Sequence, residues 1–176
     1  MFENDYTFNG KHATYIKYLV DDTKLYKRYI DVLMNGAVFG LLYNKTSLRD
    51  RESQDRARVY ADAFANCRED CIFLYRLVML LDASGNLSDE QIVDRAFRDD
   101  AAGTDSGKVK ENLDLFYSYV LGGIEILYEA LTDGCTMEIE YIDKAFDKMK
   151  SFREELQGIS YGDRVSELIR GYDRRG

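Results

Sequence analysis

Few residues in this chain could do chemistry, and most of them are carboxylates. Glu111 and Asp114, Glu125 and Glu129, and Glu140 and Asp143 stand three or four positions apart, so on a helix each pair shares one face. Acids so placed on neighbouring helices offer a hard divalent cation the several oxygen ligands it needs, and helical nucleotide pyrophosphatases hold Mg²⁺ in this way. An all-α, Mg²⁺-dependent nucleotide phosphohydrolase is therefore the enzymatic alternative, with Mg²⁺ as its cofactor. Such spacings also arise by chance among 32 acids in a helical chain. A solvated acidic face explains them without a metal, and no cofactor is the expectation.

The other chemical candidates are His12, Cys67, Cys71 and Cys135, enough in number for a four-ligand zinc site. Cys67 and Cys71, one helical turn apart, fall in phase with an apolar stripe. Burial as small hydrophobes accounts for them, so no metal site is expected. His12 is the sole imidazole, and any histidine acid–base scheme must pass through it. It follows Asn9, Gly10 and Lys11, which reads as a helix start with a surface or capping histidine. The chain contains no G-x-S-x-G elbow, H-E-x-x-H pair, phosphate-binding P-loop or dinucleotide fingerprint.

The elements that must position these side chains are helices. Ala57, Tyr60, Phe64, Cys67, Cys71, Leu74, Val78 and Leu81 alternate spacings of three and four, which predicts one helix of about seven turns over 57–81, closed by Gly85 in a left-handed cap. Ser88, Asp89, Glu90 and Gln91 form a capping-box pattern, and Leu87 and Ile92 flank it as a hydrophobic staple. Residues 100–107 read as a loop. Val109, Leu113, Phe116, Val120, Ile124, Leu127 and Leu131 then line a long helix. Ile139, Ile142, Phe146, Met149 and Leu156 line another, and a last short helix is predicted over 163–170. Nearer the start, helices are predicted over 11–20 and 23–43, the second apolar almost all round from Val32. No strand pattern stands out. The expectation is an all-α, single-domain bundle of five to seven helices spanning 1–176, frayed over 1–10 and 172–176.

Glycine inside helices costs about 0.5–1 kcal/mol against alanine, so its presence implies a compensation. Gly36 and Gly40 are four apart in an apolar helix, and Gly122 and Gly123 interrupt another. Close approach of a second helix backbone supplies it, inside the fold or between copies. On the second reading, Gly36, Val38, Phe39, Gly40 and Tyr43 form an interface.

The net charge of −8 opposes general binding to nucleic acid. Residues 1–60 carry a balance of +2 and residues 82–156 one of −10, so the acidity sits in the second half and suits a basic partner. It also admits a second alternative, an acidic decoy of a DNA-binding protein. Lys24, Lys27 and Arg28 interleave with Tyr26 and Tyr29, a pattern able to track a nucleic-acid backbone within a complex. Arg49, Arg51, Arg56 and Arg58 alternate with Asp50, Glu52 and Asp55, which reads as a salt-bridged surface. Tyr15, Tyr18, Tyr29, Tyr60, Tyr75, Tyr117 and Tyr128 fall near stripe edges, where a ring is buried and its hydroxyl stays wet. The apolar run over 32–43 is too short to span a bilayer, no leader is visible, and three cysteines suit reduced thiols, so a cytoplasmic protein is expected. These features together favour a non-catalytic helical protein–protein interaction module, a self-associating subunit or adaptor of a cytosolic complex, with no membrane partner.

Overall fold

The computed structural model describes residues 1–50, 53–82, 84–99 and 105–158, with the side chains of 155–158 left aside. In chain order its elements are β1 (Tyr6–Asn9), α1 (Lys11–Lys17), α2 (Tyr29–Leu42), β2 (Arg56–Val59), α3 (Ala61–Asn66), α4 (Arg68–Leu81), α5 (Asp89–Phe97), α6 (Ser106–Thr132) and α7 (Glu138–Gly158). The chain is all-α as its periodicity requires, with seven helices and one two-stranded ribbon among the described residues. It divides into two compact units, Met1–Gly134 and Cys135–Gly176. The predicted helix over 163–170, the frayed end 172–176 and most of the loop over 100–107 lie outside the described residues.

Three expectations about elements are corrected. Residues 1–10 are not frayed: Phe2, Tyr6 and Phe8 are 8%, 7% and 1% exposed. β1 pairs antiparallel with β2, Tyr6 opposite Val59 and Asn9 opposite Arg56, and the alternating Tyr6, Phe8, Ala57 and Val59 all point inward. The stripe over 57–81 is therefore not one helix. It is a strand, the short α3, a break at Cys67 (φ −119°, ψ 25°) and α4. The break turns the buried face of α4 to Cys71, Tyr75, Val78 and Met79, and leaves Leu81 59% exposed. α2 starts at Tyr29 rather than at 23, because α1 runs on into a π-helical turn, Tyr18–Asp22. The Thr23 amide closes that turn on the Tyr18 carbonyl at 2.9 Å, and Lys24 reverses the chain at φ 58°.

α2 packed on α6 forms the centre of the 1–134 unit. The glycines make this possible. A Cβ on Gly123 would overlap the Gly36 carbonyl, and one on Gly40 the Tyr119 carbonyl. Backbone thus meets backbone, and side chains from the flanks close around the crossing. Beside it, Phe2, Phe64, Tyr75 and Phe116 form an aromatic cluster with centroids 5.5–6.4 Å apart. α5 begins at the capping box, with the Gln91 amide on Ser88 Oγ and the Ser88 amide on Gln91 Oε1. It is fastened by Arg95, which donates to the buried Asp82 at 3.1 Å and to the Met79 carbonyl at 2.6 Å. Tyr119 adds its hydroxyl to Asp82 at 2.8 Å. Burial alone would raise the Asp82 carboxyl, but these donors and Ser84 hold it below the usual range. Gly85, at a bend, has no left-handed φ; α6 instead ends before Gly134 at φ 70°.

Candidate functional site

A dense polar cluster among the described residues of the 1–134 unit gathers on Glu125, in the second half of α6. Two backbone devices build it. Gly122 and Gly40 lack side chains where the Lys45–Thr46 backbone passes, so the segment after α2 lies flat on α6. The Lys45 amide reaches the Gly40 carbonyl at 2.8 Å and the Ser47 amide the Ser118 carbonyl at 2.9 Å. On the other side, Gly10 adopts φ 60°, ψ −136°, a conformation open only to glycine. The Asp50 carboxylate then accepts the Lys11 amide at 2.9 Å, satisfying a donor at the exposed start of α1. Lys11 and His12 are thereby aimed at Glu125.

Four donors converge on that carboxylate. Ser47 Oγ donates at 2.6 Å, His12 Nε2 at 2.9 Å and Lys11 Nζ at 2.9 Å to Oε1, while Lys45 Nζ lies 3.3 Å from Oε2. Burial would raise the Glu125 pKa, but Lys11, Ser47 and His12 outweigh it and hold it at about 2. The ionised carboxylate only accepts, so His12 carries its proton on Nε2. His12 is fully buried and burial pulls its pKa below the ordinary value despite Glu125. Its Nδ1 has no hydrogen-bond partner among the described residues. An open cavity of about 470 Å³ adjoins the cluster, with Glu129 at its edge and Tyr15 stacked on Tyr128 at 3.9 Å. A carboxylate so saturated is neither a base nor a free metal ligand. It ties α1, the segment after α2 and α6 together.

Within the 1–134 unit, Glu111, Asp114, Cys67 and Cys71 are not among its donors. Glu111 and Asp114 are exposed, and Asp114 lies 3.8 Å from Arg49. Glu140 accepts the Thr136 and Met137 amides at 2.6 and 2.8 Å and so caps α7. Asp143 is exposed on α7. Cys67 and Cys71 are buried, with burial pushing the Cys71 thiol up to about 12, and Cys135 belongs to the 135–176 unit. No group of three or more histidines, cysteines and acids among the described residues could hold a metal ion.

Gly36 and Gly40 lie inside the α2–α6 crossing, so the close backbone approach that their spacing implies is made within this chain. Val38 and Tyr43 do face out, 36% and 43% exposed, and Phe39 is half-buried. In the basic segment, Arg28 pairs with Asp31 at 2.6 Å and Tyr29 donates its hydroxyl to Asp21 at 2.6 Å. Among the acids of 82–156, Asp82, Glu125 and Glu140 are engaged by donors within the chain. Among the described residues no helix is long and apolar enough to cross a membrane.

Sequence reasoning missed Lys11, Lys45 and Ser47 as partners of Glu125. Nothing local signals contacts made across 78 to 114 positions. It also did not foresee that, among the described residues, the apolar face of α7 stays uncovered: Ile139, Ile142, Phe146 and Met149 are 58%, 51%, 68% and 73% exposed. No protein-family model, curated protein or solved structure matches the chain.

Proposed function

We propose that this chain is a non-catalytic helical interaction module, a subunit or adaptor of a cytoplasmic complex that works by presenting α7 to a protein partner. The exposed stripe Ile139, Ile142, Phe146, Met149 carries this reading. Four large apolar side chains at helical spacing form a docking face, as amphipathic helices do when they enter a groove or pair with another helix. Covering one such side chain fully is worth about 1.5–3 kcal/mol, so the face has a strong tendency to be covered. The candidate catalytic groups support the same reading, since Glu125 and Glu140 are saturated by protein donors. The outward edge of α2, with Val38 and Tyr43, offers a second, smaller apolar surface.

The test is capture of partners from the native cell by the wild-type chain and by Ile142→Asp/Phe146→Asp. Both positions are exposed, so the fold is retained and circular dichroism checks it. Loss of the captured partners in the variant is expected. Equal capture by both chains overturns the reading, as does Mg²⁺-dependent hydrolysis of nucleoside triphosphates by the pure protein.

A further inference from the structure

We infer that the cleft at Arg49 and Lys110 binds a small organic acid, a monocarboxylate with an apolar or aromatic body. All of its residues belong to the 1–134 unit, so the inference does not depend on α7. The segment 47–50 runs along α6 and leaves two open cavities there, of about 750 and 510 Å³. Both are lined by Arg49, Lys110, Asp114 and Tyr117, which puts these four residues at the centre of one cleft. Leu48 and Leu121 line the larger cavity, Val109 and Leu113 the smaller. Polar groups at the centre of an apolar concavity of this size are the ordinary make-up of a small-molecule site.

Charge selects the class of ligand. Lys110 is exposed and has no ion-pair partner among the described residues, and Arg49 reaches Asp114 only at 3.8 Å. Lys110 stands one helical turn before Asp114, so both cations flank the same acid. Asp50 also lines the larger cavity, but its carboxylate holds the Lys11 amide. Two cations against Asp114 leave one positive charge unmatched, which a single carboxylate balances. A dianion exceeds it, and the net charge of −8 works further against multivalent anions. The guanidinium of Arg49 lies over the Tyr6 ring at 5.0 Å, and Tyr6 stacks on Tyr117 at 3.7 Å. A planar donor so held before a ligand arrives loses little freedom on binding a carboxylate. In the same corner the buried Tyr6 hydroxyl has no hydrogen-bond partner among the described residues. Burial pushes its pKa up to about 12, so it remains a donor at neutral pH.

Heteronuclear NMR of the full chain, titrated with phenylacetate, octanoate and indoleacetate and with the carboxamide of each, provides the test. At least one acid is expected to shift the Arg49, Lys110 and Tyr117 amides saturably, with a dissociation constant of roughly 0.1–1 mM. Its carboxamide, lacking the charge, binds about tenfold more weakly. Arg49→Gln and Lys110→Gln each weaken binding about fivefold. Asp114→Asn removes the competing acid and strengthens binding about threefold, a gain that a damaged fold cannot produce. Lys110 and Asp114 are exposed, so these two variants keep the wild-type circular dichroism even if Arg49→Gln does not. No saturable shift at these amides with any of the acids, equal affinity for acid and carboxamide, or weaker binding by Asp114→Asn overturns the inference. Ile142→Asp/Phe146→Asp binds the acid as the wild type does, so failure here leaves the interaction reading untouched.

Discussion

Glu125 and His12 differ in what acid does to them. The folded state holds Glu125 at about 2 against an ordinary 4.5, so its contribution is complete above pH 4.5 and drains as pH falls toward 2. His12 is held below its ordinary 6.5. The unfolded chain therefore takes up this proton first, and stability begins to fall below pH 6.5. Urea denaturation across pH should show both declines. His12→Gln should remove the upper one. Glu125→Gln should flatten the lower one and cost about 1–3 kcal/mol at pH 7, because charged donors lose their acceptor. Lys11 and Lys45 are nearly half exposed, and solvent screening limits their share. An unchanged pH profile in both variants would refute this account. Each residue is noticeable in the sequence, one as the sole imidazole and the other within a pair of helical acids. Their meeting is not, since it depends on where two glycines let the backbone pass.

At the scale of elements, the close approach of α2 and α6 gives the sharpest contrast. Alanine at Gly123 would overlap the Gly36 carbonyl and lie against the Gly40 amide. Backbone cannot swing aside as a side chain can, so Gly123→Ala should cost about 3 kcal/mol. At Gly85 the new Cβ meets only Leu87 Cγ, at 3.6 Å. There alanine should be neutral or stabilise by about 0.4–1 kcal/mol through the unfolded chain. Thermal melts of the two variants decide it, and equal shifts would remove the argument. The glycine spacings announced a close approach, but not that it lies within one chain. The long α6, the capped α5 and the amphipathic α7 were readable because periodicity accumulates over many residues. Four-residue strands, a π-helical turn and the break at Cys67 leave too short a trace, and the apolar stripe runs through the break without a gap.

For the molecule as a whole, the two units are unequal in core. Every buried apolar side chain among the described residues except Tyr141 belongs to 1–134. A chain ending after Gly134 should therefore melt cooperatively, keep its near-ultraviolet dichroism and remain monomeric. A broad, transitionless melt would show that its core depends on residues beyond Gly134. The charge polarity of the sequence, +2 over 1–60 and −10 over 82–156, does not coincide with this division, because its acids are shared between both units and several are spent internally. The α2–α6 crossing also fixes an order of events in the cell. α2 ends at Leu42 and α6 at Thr132, so at roughly 5–20 residues per second the ribosome delivers the covering helix roughly 5–20 s after the helix it must cover. Throughout that interval a nascent segment apolar almost all round stands without its native neighbour, and it is there that a chaperone would engage this chain.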